Sequence, residues 1–150
     1  MVNIDCDDNM RIEFVKKHND AKLPKKNHSN DTGYDVFSVE DKLVPAHGSA
    51  VVDVGLEFGY IPEGYWIAVE SRSGLSFKHN VIAHRGILDN GYRGNAGILL
   101  YNLSDKDYQV TKGDRIAQFV LYPIIHADIG WTDQAVESTR GNNGFGSSGK

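Results

Sequence analysis

Asp89, Asn90, Gly91 and Tyr92 stand together in the middle of the chain, with Gly86-Ile87-Leu88 ahead of them and Arg93-Gly94 behind. Asn-Gly is the strongest short-range hairpin signal, because both residues tolerate positive φ in a type I′ turn. A tight hairpin would hold one carboxylate and one aromatic ring near each other at a rigid tip. Such a pair suits a small site that moves a proton and holds a flat ligand. Taken alone, the stretch reads more simply as a surface hairpin with a solvated aspartate. A second chemistry-bearing stretch runs from Arg140 through Phe145, Gly146, Ser147 and Ser148 to Lys150, with four glycines in eleven residues. Glycines let backbone N–H groups approach an anion closely, and arginine makes bidentate phosphate contacts. One large aromatic, one guanidinium and two hydroxyls could close over a flat ring and a phosphate. The plainer reading is a frayed terminus.

Composition bounds what surrounds these residues. The chain has 150 residues, 40% of them hydrophobic and 24% charged, which is enough for one domain with a core. We therefore expect a single domain over residues 1–150. The net charge of −4 disfavours binding to a nucleic-acid backbone, which needs a basic face. A small anionic ligand needs only a few local arginines. Cys6 is the single cysteine, so no internal disulfide is expected and the protein reads as intracellular, from a reducing compartment. The N-terminal residues are acidic and do not read as a signal peptide, and no apolar run approaches the ~20 residues of a membrane helix. The six histidines are scattered without metal-ligand spacing.

The elements that must position the chemistry are mostly strands. Widely spread glycines and short apolar runs predict a sandwich or jelly-roll-like barrel. Strands are expected over residues 10–15, 32–38, 51–58, 65–70, 96–102 and 114–122. Within residues 51–58, Val52, Val54, Leu56 and Phe58 share one face while Asp53 and Glu57 share the other, the alternation of a half-buried strand. Residues 96–102 are mostly apolar and read as covered on both faces. One short helix is expected within residues 71–80, and residues 16–30 read as loop. From about Asp128 the chain turns polar.

Five stretches, in order, carry a family resemblance: Asp31-Thr32-Gly33-Tyr34-Asp35-Val36-Phe37-Ser38; Ser71-Arg72-Ser73-Gly74-Leu75; residues 86–94; Gly113-Asp114-Arg115-Ile116-Ala117-Gln118; and residues 140–150. Together they resemble the five motifs of the trimeric dUTPase family, and the match covers nearly the whole chain from about Met10. The resemblance implies an all-β, distorted jelly-roll subunit with a flexible glycine-rich arm over roughly residues 128–150. It implies a homotrimer in which that arm closes a neighbour's site. The implied reaction is hydrolysis of dUTP to dUMP and pyrophosphate with Mg²⁺, which would limit uracil in DNA and supply dUMP for dTMP synthesis.

The same resemblance implies residue roles. Asp89 would be the general base that activates water against the α-phosphorus. Tyr92 would pack on the deoxyribose and leave no room for a 2′-hydroxyl. Backbone groups around Asn95, Gly97 and Ile98 would read uracil. Arg72, Ser73, Gly74 and Gln118 would hold phosphate oxygens. Arg140, Gly146, Ser147 and Ser148 would grip the terminal phosphate while Phe145 stacks on the base. Asp35 would serve the metal through bound water, not as a direct ligand. Asp114 and Arg115 read as structural. Ser71 stands where proline is frequent, which predicts a less rigid loop, and Gly91 stands where a second acid is common. His84 and Arg85 match no fixed pattern. Two other functions fit the fold: a dCTP deaminase, and a regulatory protein that binds nucleotide without turning it over.

Overall fold

The computed structural model describes residues 10–144 and 146, so Cys6, Phe145, Ser147 and Ser148 lie outside the described residues. The described residues form strands β1 (Glu13–Lys16), β2 (Tyr34–Phe37), β3 (Lys42–Val44), β4 (Ser49–Val52), β5 (Leu56–Tyr60) and β6 (Tyr65–Glu70), helix α1 (Ser73–His79), and strands β7 (Val81–Ala83), β8 (Ile87–Leu88), β9 (Ile98–Asn102), β10 (Tyr108–Val110) and β11 (Arg115–Pro123). The sheets run in the orders β2-β11-β6-β8 and β4-β9-β7, with two further pairs, β1-β5 and β3-β10. Every pairing between these strands is antiparallel. The fold is all-β and jelly-roll-like, with one short helix among the described residues.

Alternation fills the core. Val52, Val54, Leu56 and Phe58 are all buried, on the face that the sequence pattern assigns to them. They do not belong to one strand, however. The chain breaks between β4 and β5 because Gly55 takes φ +70° and its N–H donates to Asp53 Oδ1 at 2.8 Å. A Cβ on Gly55 would also meet His18 Cβ at 2.8 Å, so glycine is required there for both conformation and space. In β9, Ile98, Leu100 and Asn102 are buried while Leu99 and Tyr101 are half-covered, so only one face is fully enclosed. The three-residue strands β3, β7 and β10 are too short to show a period, and the sequence pattern misses them.

Asn102 is the buried polar hinge of this end of the barrel. Its amide nitrogen donates to Val44 O at 3.0 Å and Lys106 O at 2.7 Å. Its Oδ1 accepts from Ser104 N at 3.0 Å and Ser104 Oγ at 2.7 Å. These bonds tie β3 and β9 to the turn before β10. Replacing Asn102 by alanine strands several buried partners, each worth about 1–3 kcal/mol when unmet. Asn102→Ala is expected to lower the unfolding free energy by about 2–4 kcal/mol in a denaturant titration.

Candidate active site

Asp89 and Tyr92 close a four-residue turn, with Tyr92 N–H donating to Asp89 O at 2.9 Å. The turn is not type I′, since neither Asn90 nor Gly91 takes positive φ. It is also not the tip of a hairpin. β8 pairs with β6, whereas the chain beyond Tyr92 turns to β5, where Phe58 N donates to Gly94 O at 3.0 Å and Ala96 N to Leu56 O at 2.9 Å. Asn90 serves through its side chain. Its Nδ2 donates towards the carbonyls of Ile61 (3.1 Å), Pro62 (2.6 Å) and Tyr65 (3.1 Å), which pins the turn to the β5–β6 connection. Arg93 Nη1 closes the other side on the Asn90 and Tyr92 carbonyls, both at 2.9 Å.

The two chemical groups of the turn therefore sit on a fixed frame. Asp89 is exposed, and its carboxylate has no hydrogen-bond or ionic partner among the described residues. Tyr92 lays its ring 5.7 Å from that of Phe58 and donates from Oη to Asn95 O at 2.8 Å. The ring passes so near Gly94 that a Cβ there would lie 2.4 Å from Oη. Asn95 and Gly97 are exposed beside it, and Ile98 is buried at the start of β9.

A second cluster gathers where β2, β6, α1 and β11 meet. Asp35 is only 8% exposed and is clamped by two guanidinium groups. Arg72 Nε lies 3.1 Å from its Oδ1 and Arg115 Nε 3.6 Å from its Oδ2. Arg115 also stacks over Phe37, at 5.7 Å. Arg72 occupies the position before α1 with extended backbone, and no side chain caps the first turn at Ser73 and Gly74. Gln118 donates from Nε2 to Ser71 O at 2.9 Å. Ser71 in turn accepts at Oγ from Ala83 N at 2.9 Å, so its hydroxyl fixes the loop that a missing proline ring would loosen. Asp114 accepts from Thr111 N at 2.8 Å and shapes the turn into β11.

One chain does not bring the two clusters together. Leu88 stands opposite Ile67 on β6, whereas Gln118 stands opposite Glu70, and Asp35 lies one strand further out, opposite Gln118. At about 3.3 Å per residue and about 4.8 Å per strand, Asp35 and Asp89 are roughly 20 Å apart. His84 and Arg85 join neither cluster. His84 Nδ1 pairs with Tyr101 Oη at 3.0 Å, and Arg85 pairs with Glu70 at 2.5 Å, a contact that raises its already high pKa.

Residues 124–144 form neither helix nor strand. They carry four large apolar side chains in full contact with solvent: Ile125, Ile129, Trp131 and Val136 are 87–105% exposed. Among the described residues, Arg140 bonds within its own turn, to Asn143 O, and Gly146 is exposed with φ +91°. Among the described residues no group of three or more His, Cys, Asp or Glu converges on a point. None of their helices is long and apolar enough to cross a membrane.

Sequence reasoning singles out Asp89, Tyr92, Arg72, Gln118 and Asp35. It misses Asn90 as an anchor, although three carbonyls receive its amide. It also misses the contact of Arg115 with Asp35, since no spacing rule links residues 80 positions apart.

Known proteins match this chain along most of its length. The model of the dUTPase family matches residues 19–149. The deoxyuridine 5′-triphosphate nucleotidohydrolase of Clostridium tetani is 41% identical over 94% of this chain and 97% of its own. That of Kluyveromyces lactis is 39% identical over 87% of this chain and 88% of its own. Among solved structures, the dUTPase of Staphylococcus bacteriophage 80alpha with dUPNHPP superposes with a TM-score of 0.81 at 32% identity, covering 93% of this chain and 99% of that one. A dUTPase variant from phage phi11 of S. aureus, described for its coordination of a structural Mg(II) ion, gives a TM-score of 0.75 at 29% identity over 85% of this chain and 99% of that one. The motifs, the fold and these matches agree, and the chain belongs to the dUTPase family.

Proposed function

We propose that this protein hydrolyses dUTP to dUMP and pyrophosphate. The observation that carries the reading, beside family membership, is the anchored turn that presents an unpartnered Asp89 carboxylate next to the Tyr92 ring. Asp89 takes a proton from a water whose oxygen bonds to the α-phosphorus. The bond from that phosphorus to the bridging oxygen breaks, and pyrophosphate leaves with its electron pair. A positioned base contributes about 10²–10⁴-fold to such a step. Tyr92 packs against the deoxyribose and rejects a 2′-hydroxyl by lack of room. Backbone groups at Asn95, Gly97 and Ile98 pair with the uracil edge.

The phosphates belong to the second cluster. Arg72, Ser73, Gly74 and Gln118 hold their oxygens. The residues present suit a Mg²⁺ ion that arrives on the triphosphate. Asp35 is the lone carboxylate between the two arginines and offers no cage, while Mg²⁺ commonly keeps several waters and takes phosphate oxygens. Asp35 would accept hydrogen bonds from those waters. When bound, the ion neutralises charge on the phosphate oxygens.

The base must come within hydrogen-bond reach of the attacking water, itself about 3–3.5 Å from phosphorus. The roughly 20 Å between Asp35 and Asp89 cannot be closed within one rigid sheet. A site therefore takes Asp89 and Tyr92 from one copy and Arg72 and Gln118 from another, which supports an oligomer with shared sites, and the family resemblance makes that oligomer a homotrimer. The exposed Ile125, Ile129, Trp131 and Val136 support an arm that buries its apolar side chains on a neighbour. That arm would bring Arg140, Phe145, Gly146, Ser147 and Ser148 over the nucleotide. In this role the enzyme limits uracil in DNA and supplies dUMP for dTMP synthesis, within a reducing compartment.

With Mg²⁺ and separate dUTP, dCTP, dTTP and UTP, the protein is expected to release dUMP and pyrophosphate from dUTP alone. Ammonia from dCTP would make it a deaminase, and binding without product would make it a regulator. Asp89→Asn should keep dUTP affinity in a titration while kcat falls about 10²–10⁴-fold. Asp89→Asn and Arg72→Ala chains, each inactive alone, should regain activity when assembled together; no recovery would place both residues of a site in one chain. Truncation before Arg140 should leave the oligomer mass per chain in register while turnover drops, because a lid that excludes water is gone.

A further inference from the structure

Gly33 is the glycine that approaches another side chain most closely. A Cβ built on it would lie 1.8 Å from Gln118 Oε1, 2.7 Å from the amide carbon and 3.1 Å from the Gln118 Cβ. Two causes can demand glycine: a left-handed backbone or a lack of space. Gly33 does not take positive φ, so space is the whole reason. By contrast, Gly74 and Gly91 would carry a Cβ with nothing within 4 Å.

The space at Gly33 decides how Gln118 lies. The side chain lies against Gly33, just ahead of β2, and is held at its far end, where Nε2 donates to Ser71 O at 2.9 Å. An amide nitrogen has two hydrogens. With one spent on Ser71 O, and with Oε1 laid against Gly33, the second N–H has a single direction left. Asp35 pairs with Gln118 across β2 and β11, so the side chain lies next to the arginine clamp.

We infer that Gly33 is a positioning residue, whose missing side chain seats Gln118 and aims its free N–H at a phosphate oxygen. The inference rests on the reading of Gln118 as a phosphate contact. An alanine at this position forces the amide aside, because Cβ contacts under 3.0 Å are essentially not found in proteins. The end of a flexible glutamine can swing away cheaply, and the 3.1 Å contact with Gln118 Cβ asks the two strands to give by only a few tenths of an ångström, so the fold survives while the aim is lost. A hydrogen bond to a charged group corresponds to roughly 10–100-fold in a rate or binding constant.

The test is a double-substitution cycle on the full chain. Gly33→Ala and Gln118→Ala should each lower kcat/KM for dUTP by a similar factor, within roughly 10–100-fold. The double variant should be no worse than either single one. Gly33→Ala costing as much in the Gln118→Ala background as in the parent would overturn the inference, as would unchanged kcat/KM in Gly33→Ala. A second readout does not need activity. The Gln118 side-chain amide resonance, assigned by its disappearance in Gln118→Ala, should shift in Gly33→Ala as the bond to Ser71 O is lost. An unmoved resonance rejects the seat. Absence of dUTP turnover in the parent chain would reject the proposed function instead, and the resonance would still report on Gly33.

Discussion

Strand β6 spans Tyr65 to Glu70, and its two ends anchor two different clusters of polar side chains. At one end the Asn90 amide reaches the Tyr65 carbonyl and fixes the turn with Asp89 and Tyr92. At the other, Gln118 reaches the Ser71 carbonyl and leads into Arg72. A hydrogen-bonded strand flanked on both sides, by β11 and β8, does not shorten or fold back. The distance between the Asp89 turn and the arginine clamp is thus set by the backbone itself. No side-chain rotamer on this chain closes it, so the Asp89 turn and the arginine clamp of one chain stay apart.

The arginine clamp on Asp35 orders two guanidinium groups on one carboxylate. Two guanidinium groups side by side would repel each other without a carboxylate between them. One nearly buried carboxylate between them holds both, at 3.1 and 3.6 Å. Removing one partner of such a group is costly, because the remaining charge is left poorly solvated. The clamp also limits what Asp35 can offer a metal, since each oxygen already faces a donor. A hydrated ion borne by phosphate places fewer demands on Asp35 than direct coordination.

Much of the fold was legible because burial alternates along its strands. Val52, Val54, Leu56 and Phe58 could be assigned to the core from period alone, even though Gly55 splits their strand. The helix was legible from its place between turn-forming residues, and Ser73–His79 lies within the expected stretch. Strands β3, β7 and β10 were not, because three residues cannot display a period. The Asn-Gly pair misled for a physical reason. A turn signal reports local φ and ψ preferences, whereas Asn90 is fixed by carbonyls some 25–29 positions away. The contact of Arg115 with Asp35, and the seat of Gln118 on Gly33, are likewise products of strand register that no local pattern encodes.

The segment beyond β11 bears on the same constraint from the opposite direction. Pro123 ends the strand, and Ile124 N donates to Gly64 O at 2.7 Å, the last backbone tie to the barrel among the described residues. Past that point Ile125, Ile129, Trp131 and Val136 meet solvent. Each such side chain would gain about 1.5–3 kcal/mol on burial. Four in a dozen residues amount to a strong drive towards another surface, and the segment's own barrel is not providing one. On the function proposed above, the approach of another copy would serve both the sheet, which keeps Asp89 and Arg72 apart, and the tail, which keeps its apolar residues out. Under that proposal, assembly would do more than stabilise the chains, because it would also bring Asp89 to a phosphate held by Arg72.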